Sequence, residues 1–186
     1  MGMMFDMKEG AGHGAAPGAG ACAGMVAPDD LAYPAIGSLR FLVLAGTQSG
    51  NALLVAEVLS ERLSEAGARR LDILPEGHAP DPRLPGIDVL LVCVATHGDG
   101  ELPDAFMPIF EDLRSAAPDL ANLRYGLVAL GDRTYKQFCG GGQRVDALLT
   151  ALGAKRIGDI CEIDASSQPF PDEDAVTWLQ QWLKQL

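Results

Sequence analysis

The sequence lacks an apolar run of the roughly 20 residues that a helix needs to cross a lipid bilayer, so no membrane span is predicted. Residues 1–37 also lack the basic start and the compact apolar stretch of a secretory signal. Basic side chains are few, with 14 Lys and Arg against 25 Asp and Glu and a net charge of -11. Nucleic acid and anionic membranes are therefore poor partners, and a partner with a basic docking face is favoured, unless the charge serves solubility alone.

The four cysteines show no CxxC spacing, which argues against a zinc site and against a disulfide framework. They are Cys22, Cys93, Cys139 and Cys161. A reduced cytoplasmic setting fits this pattern best. Two phosphate-binding motifs are also missing, namely the GxxxxGK motif of ATPases and the GxGxxG motif of dinucleotide-binding domains. A triphosphate or a pyrophosphate is therefore a poor candidate for a ligand.

Strands and helices alternate through most of the chain. Residues 1–37 are rich in Gly and Ala and predict a disordered tail, whereas residues 38–186 predict one folded domain. Apolar segments predict strands over residues 40–45, 71–74, 89–95, 125–130 and, more weakly, 156–161. Helical apolar stripes lie between them, so we expect an α/β fold with a doubly wound, five-stranded parallel sheet and helices on both faces. Ligands in such sheets lie outside the carboxyl ends of the strands.

A polar loop follows the first predicted strand, just before a helix. It contains two hydroxyls, two side-chain amides and a flexible glycine: Gly46, Thr47, Gln48, Ser49, Gly50, Asn51 and Ala52. A helix N-terminus attracts an anion through its free N–H groups and its dipole. We expect this first loop (residues 46–52) to bind a terminal monophosphate, although a polar helix cap with a glycine turn would look similar.

A second loop (residues 95–101) follows the third predicted strand. Its residues are Ala95, Thr96, His97, Gly98, Asp99, Gly100 and Glu101. The two glycines permit unusual backbone angles. That freedom is needed if a carbonyl must rotate when a bound ring gains a proton. His97 is expected either to pack on a flat ring or to be an exposed loop histidine.

A third loop (residues 130–139) follows the fourth predicted strand. It contains Leu130, Gly131, Asp132, Arg133, Thr134, Tyr135, Phe138 and Cys139. We expect Tyr135 to stack on a flat ring, because such a contact buries a large area. Phe138 is expected to support the core, and Cys139 is placed by the sequence where its thiol can lie near a ligand. All three loops lie at carboxyl ends of strands, so they predict one site for a mononucleotide, with FMN preferred.

From about Leu39 to Leu186 the chain resembles the flavodoxin family, and most of all the FMN domains of sulfite reductase and cytochrome P450 reductase and the short MioC-type flavodoxins. The three loops carry this resemblance, in the same order and at suitable spacing. It implies the strand order 2-1-3-4-5 and bound FMN, with Tyr135 stacked on the flavin and the backbone at Gly98 against the N5 edge. His97 departs from the family, whose members often have Tyr or Gln there.

The predicted FMN-binding residues combine the residue chemistry with this resemblance. They are Thr47, Gln48, Ser49, Gly50, Asn51, Ala52, Ala95, Thr96, His97, Gly98, Leu130, Gly131, Asp132, Tyr135, Phe138 and Cys139. No catalytic residue and no metal ligand is predicted.

The predicted function is that of an electron carrier more than of a stand-alone enzyme. The chain ends at Leu186 without an NADPH- or FAD-binding domain, so we expect electrons to come from a separate NAD(P)H-dependent reductase and to pass to an acceptor protein. Carboxylates in or beside the ring-binding loops are expected to oppose negative charge on the ring and to form an acidic docking face: Asp99, Glu101, Asp104 and Asp132. Two alternatives are an NAD(P)H-dependent flavin reductase and a flavin-free signalling module of the same fold.

Overall fold

The structure, a computed structural model, describes residues 36–74, 80–81, 83–167 and 169–186. Cys22 and nearly all of the predicted Gly/Ala-rich tail lie outside these residues. The described chain begins two residues before the predicted domain, with a 3-10 turn at Ile36–Ser38. The Ile36 side chain is buried in the core, so the packed structure includes this turn.

Strands and helices alternate in the described residues. The strands are β1 (Arg40–Gly46), β2 (Arg70–Ile73), β3 (Val89–Ala95), β4 (Arg124–Gly131), β5 (Lys155–Arg156) and β6 (Cys161–Asp164). The helices are α1 (Asn51–Glu65), α2 (Met107–Ala116), α3 (Gly140–Ala151) and α4 (Pro171–Leu183).

The sheet is parallel, and its strands run in the order β2-β1-β3-β4, with both β5 and β6 beside β4. This arrangement confirms the predicted order 2-1-3-4-5. The predicted fifth strand over residues 156–161 is divided, however. Gly158 has a φ of +66°, a left-handed conformation that leaves the strand path. Pairing with β4 resumes at Cys161, which lies opposite Val128.

The core has two parts, one on each face of the sheet. Phe41 and Val43 of β1 point into the part that contains α1 and α4, whereas Leu42 and Leu44 point into the part that contains α2 and α3. Because both faces are covered, β1, β3 and β4 are apolar without alternation. The six strands therefore form a rigid platform whose carboxyl edge carries the loops.

Candidate functional site

The carboxyl edge of the sheet opens into a cavity of about 380 Å³. Side chains and backbone from all three predicted loops line it, together with a residue that follows β6. The lining residues are Ser49, Asn51, Ala95, Thr96, His97, Gly98, Leu130, Gly131, Asp132, Tyr135, Gln137 and Ala165. Loops that are far apart in the sequence meet here because their parallel strands end at the same edge.

The first loop is fixed by a short-range hydrogen bond. Thr47 is almost fully buried, and its Oγ1 accepts a hydrogen bond from the Gly50 N–H at 3.0 Å. Gly50 has a φ of +88° and directly precedes α1, which begins at Asn51. The first turn of α1 contains no acidic side chain. Its backbone N–H groups therefore form a local environment that favours an anion.

The second loop is a closed turn. His97 and Glu101 exchange two backbone hydrogen bonds of 2.9 and 2.8 Å, and the Glu101 carboxylate accepts a third from the Asp99 N–H at 2.7 Å. A Cβ atom at Gly98 would lie 2.5 Å from that carboxylate, and its φ is +53°. A side chain at Gly98 is thus disfavoured by both space and backbone angle. The Gly98 backbone itself is exposed and lines the cavity.

The third loop presents Tyr135 at the cavity. The Tyr135 side chain is 56% exposed, which is unusual for a large ring in a folded domain. The Tyr135 N–H donates to the Asp132 carbonyl at 3.1 Å. The Asp132 side chain accepts hydrogen bonds from both the N–H and the hydroxyl of Thr134. The loop is therefore ordered while the ring itself is left open to a partner.

Hydrogen bonds also join the loops to one another. The Gly141 N–H, in the first turn of α3, donates to Thr96 Oγ1 in the second loop at 3.2 Å. Gln48 Nε2 in the first loop lies 3.4 Å from Asp104 Oδ2, just past the second loop. These contacts join the second loop to the start of α3, and the first loop to the segment that follows the second loop.

Six of the predicted site residues do not line the cavity. They are Thr47, Gln48, Gly50, Ala52, Phe138 and Cys139. Thr47 and Gly50 fix the conformation of the first loop through the hydrogen bond between them. The Ala52 side chain is buried in the core. The Phe138 ring lies under the Arg133 guanidinium, 4.1 Å from ring centroid to Cζ, which agrees with a supporting role.

The Cys139 thiol is buried and does not line the cavity. Cys139 adopts a left-handed conformation, with a φ of +54°, directly before α3. Its Sγ contacts the Ala129 carbonyl at 3.3 Å, and the residue is fully buried. Burial raises the pKa of the Cys139 thiol to about 12. The thiol therefore stays protonated and inside the core, not in the cavity.

Sequence reasoning missed three residues next to the cavity. Gln137 and Ala165 line it, and Asp164 lies beneath the third loop at the end of β6. Asp164 is followed by Ala165 and two serines, which is a turn signature that the sequence does display. Nothing in that signature indicates that the Asp164 carboxylate also contacts the third loop.

The Asp164 carboxylate is the most strongly hydrogen-bonded side chain near the cavity. Its Oδ1 accepts bonds from the Ser166 hydroxyl at 2.7 Å, the Ser166 N–H at 3.0 Å and the Arg133 N–H at 3.1 Å. The hydrogen bond from the Ser166 hydroxyl and those from the two N–H groups lower the pKa of Asp164 to about 2. The group is therefore a carboxylate throughout the neutral range.

Two kinds of site are not seen in the described part of the chain. No group of His, Cys, Asp and Glu among those residues is arranged to hold a metal ion. None of the helices found there combines the length and the apolarity needed to cross a bilayer.

Comparison with known proteins decides the family. The family model described as Flavodoxin matches residues 43–178, which includes all three loops. The chain belongs to the flavodoxin family. This flavodoxin is 39% identical over 141 residues to Flavodoxin YqcA of Escherichia coli (strain K12), covering 75% of this chain and 93% of that protein. It is 35% identical over 145 residues to Protein MioC of the same organism, covering 77% of this chain and 96% of that protein.

Two further matches extend the comparison. The sulfite reductase [NADPH] flavoprotein alpha-component of Bacillus subtilis (strain 168) is 37% identical over 154 residues, which are 82% of this chain but 24% of that protein. Among solved structures, a mutant of flavodoxin from Pseudomonas aeruginosa, in which one cysteine is replaced by alanine, superposes with a TM-score of 0.72 at 31% identity. The match covers 80% of this chain and 99% of that one.

Family membership makes this flavodoxin an FMN-binding electron-transfer protein. The cavity fits that cofactor in three respects. A helix N-terminus without acidic side chains suits a phosphate, the exposed Gly98 backbone of the second loop suits a ring edge, and the exposed Tyr135 ring suits a ring face. When bound, FMN supplies the one-electron chemistry, and the protein supplies binding, orientation and electrostatics.

Proposed function

We propose that this flavodoxin carries single electrons between a separate NAD(P)H-dependent reductase and an acceptor protein in the cytoplasm. The observation that carries the proposal is the cavity at the carboxyl edge of the sheet, where all three loops meet. FMN held there lies at the protein surface, within reach of two successive partners. Residues 38–186 would form this FMN-binding domain, and residues 1–37 would be a tail outside it.

Each loop would hold a different part of the cofactor. The first loop would bind the phosphate through the N-terminal turn of α1, with Ser49 and Asn51 lining the cavity on that side. The backbone of Gly98 would approach an edge of the ring. Tyr135 would cover one face of the ring, and this contact would bury much of its exposed side chain.

His97 is the candidate for the other side of the ring. It lines the cavity, and its backbone is fixed by the two hydrogen bonds to Glu101. Its imidazole would contact the ring or its edge. Members of the family often have Tyr or Gln at this position, and the contact that His97 would make with the ring differs chemically from theirs.

Carboxylates around the cavity would affect both the cofactor and the partners. Asp99, Glu101 and Asp104 are exposed, and Asp132 lines the cavity. A carboxylate about 10 Å from the ring opposes an added electron by roughly 1–2 kcal/mol at an effective dielectric constant of about 20. The same charges would attract a partner with a basic docking face and raise the association rate.

The first test is the absorption spectrum of the purified protein. A yellow protein with flavin bands, which releases FMN on denaturation, is the expected result. Protein purified without cofactor should recover the same bands on titration with FMN. A colourless protein that takes up no FMN at high micromolar concentration would overturn the proposal.

The second test concerns the partners. In air, where oxygen can reoxidise a reduced flavin, the protein alone should not oxidise NADPH or NADH steadily. Under anaerobic conditions it should accept electrons from NADPH when a flavodoxin reductase is added. The rate of this reduction should fall as salt rises, because screening weakens attraction between opposite charges. Steady oxidation of NAD(P)H without a reductase would instead show that the protein is a flavin reductase. A reduction rate that does not depend on salt would contradict the proposed acidic docking face.

A further inference from the structure

Asp164 lies at the carboxyl edge of the sheet, next to the third loop. It is the last residue of β6, and it lies in register with Gly131, the last residue of β4. Its side chain is only 10% exposed. A carboxylate in such a position must be satisfied by the protein, because it has lost most of its contact with water.

The carboxylate is satisfied from two separate parts of the chain. One part is the turn that follows it, where Ser166 donates through its N–H and hydroxyl, and the Ser167 hydroxyl donates to Oδ2 at 3.1 Å. The other part is the third loop, 31 residues earlier, where the Arg133 N–H donates to Oδ1 at 3.1 Å. The carboxylate therefore ties the third loop to the end of β6.

The Arg133 side chain connects Asp164 to Phe138, near the end of the third loop. Its Nε lies 3.7 Å from Asp164 Oδ2, and its guanidinium lies over the Phe138 ring at 4.1 Å. Asp164 thus restrains the loop on both sides of Tyr135, through the backbone at Arg133 and through the ring of Phe138. The hydrogen bond from the Arg133 N–H to the Asp164 carboxylate is charge-assisted, and such bonds are stronger than neutral ones.

The Tyr135 ring itself has little packing to hold it. Its side chain is 56% exposed, so its position depends on where the loop backbone is held. A loop that is already ordered loses less conformational freedom when a ligand binds, and the ligand binds more tightly for that reason.

We propose that Asp164 is a positioning residue for the flavin: it holds Arg133, and through it the third loop, so that Tyr135 is ready to stack on FMN. This inference rests on the proposed location of FMN in the cavity. It assigns a role to a residue that does not line the cavity and that the loop motifs do not contain.

The test is an FMN titration of the cofactor-free protein at pH 7, followed by flavin fluorescence. Asp164→Asn keeps the shape of the side chain but removes its charge, and we expect FMN to bind about tenfold more weakly. Asp159→Asn is the matched control, because it removes the same charge from an exposed residue before the other end of β6. The control should bind FMN as the unsubstituted protein does.

A double-mutant cycle separates positioning from simple stabilisation. If Asp164 acts through Tyr135, Asp164→Asn should weaken FMN binding less than twofold when Tyr135 is already alanine. The visible circular dichroism of bound FMN should also change in Asp164→Asn, because it reports the surroundings of the ring. An equal loss in both backgrounds, with an unchanged dichroism spectrum, would overturn the inference.

A less disruptive substitution tests the same inference if Asp164→Asn does not fold. Ser166→Ala removes one hydrogen bond to the carboxylate, and it should weaken FMN binding about threefold. If the unsubstituted protein binds no FMN, the proposed function fails and the inference fails with it. If that protein binds FMN while Asp164→Asn or a folded Ser166→Ala binds equally tightly, the inference alone fails.

Discussion

The first and third loops face the same cavity, yet they are held in different ways. The first loop is held by its own neighbours, since Thr47 Oγ1 and the Gly50 N–H that it accepts are three residues apart. The third loop is held by Asp164, 31 residues away from Arg133 and on a different strand. One loop therefore carries its conformation locally, whereas the other depends on the pairing of β4 with β6.

This difference has a consequence for binding. A change in the first loop should affect the part of the ligand that the loop contacts and little else. A change in the third loop should affect both the ligand and the stability of the sheet edge on which the loop is built. Comparing FMN with riboflavin, which lacks the phosphate, separates the two loops experimentally.

The largest effect is expected from Gly131→Ala. A Cβ atom there would lie 2.6 Å from the Cys139 backbone nitrogen and 3.0 Å from its Sγ, and the backbone cannot move without disturbing the start of α3. We expect the free energy of unfolding to fall by about 2–3 kcal/mol and flavin affinity to fall with it. Urea unfolding measures the first quantity and fluorescence titration the second.

Gly37→Ala is the matched control for that substitution. Its nearest neighbour would be the Gly67 carbonyl oxygen at 3.5 Å, an ordinary contact. A Gly131→Ala protein as stable as this control would mean that the third loop is less tightly built than the structure indicates.

Tyr135→Ala is expected to have the next largest effect. Loss of the ring should weaken FMN and riboflavin binding about equally, each by about thirtyfold or about 2 kcal/mol. Tyr135→Phe keeps the ring and should bind both ligands nearly as the unsubstituted protein does. A loss confined to FMN would place Tyr135 beside the phosphate and would contradict the assignment of the loops.

Thr47→Val should have a smaller and more selective effect. It removes the hydroxyl that accepts the Gly50 N–H, while the buried methyl groups fill the same space. We expect FMN affinity to fall about tenfold, by about 1.4 kcal/mol, and riboflavin affinity to stay within twofold. Parallel titrations with both ligands measure this. Equal losses for the two ligands would show that the first loop is not a separate phosphate site.

The last prediction concerns Asp164 and the loss of stability in acid. Its pKa is lowered from 3.8 to about 2 in the folded protein, so the folded state favours the charged form. The resulting stability is present above the unfolded pKa near 4 and is lost as pH falls through about 2. Urea unfolding between pH 6 and 2 should show the unsubstituted protein approaching Asp164→Asn in stability as acid is added. A stability difference that does not change with pH would contradict this.

Much of the architecture follows from the sequence because its signals are local. The continuous apolar run of β3 predicted its bounds over residues 89–95, since a strand covered on both faces needs apolar residues at every position. Helix α1 ends at Glu65 just before the predicted stop at Gly67, which has a φ of +103°. The first two loops combine glycines and polar residues in short stretches, and hydrogen bonds within those stretches shape them.

Tertiary structure decided what depends on strand register. The fifth strand is divided because the backbone at Gly158 leaves the strand path, and β6 then pairs with the carboxyl end of β4. That pairing brings the Asp164 carboxylate to the Arg133 N–H. The Cys139 thiol is buried against the Ala129 carbonyl of β4. Residues three or four positions apart are always near each other, so the local sequence largely decides whether they form a hydrogen bond. Partners 31 residues apart meet only after the sheet has set which strand ends lie side by side.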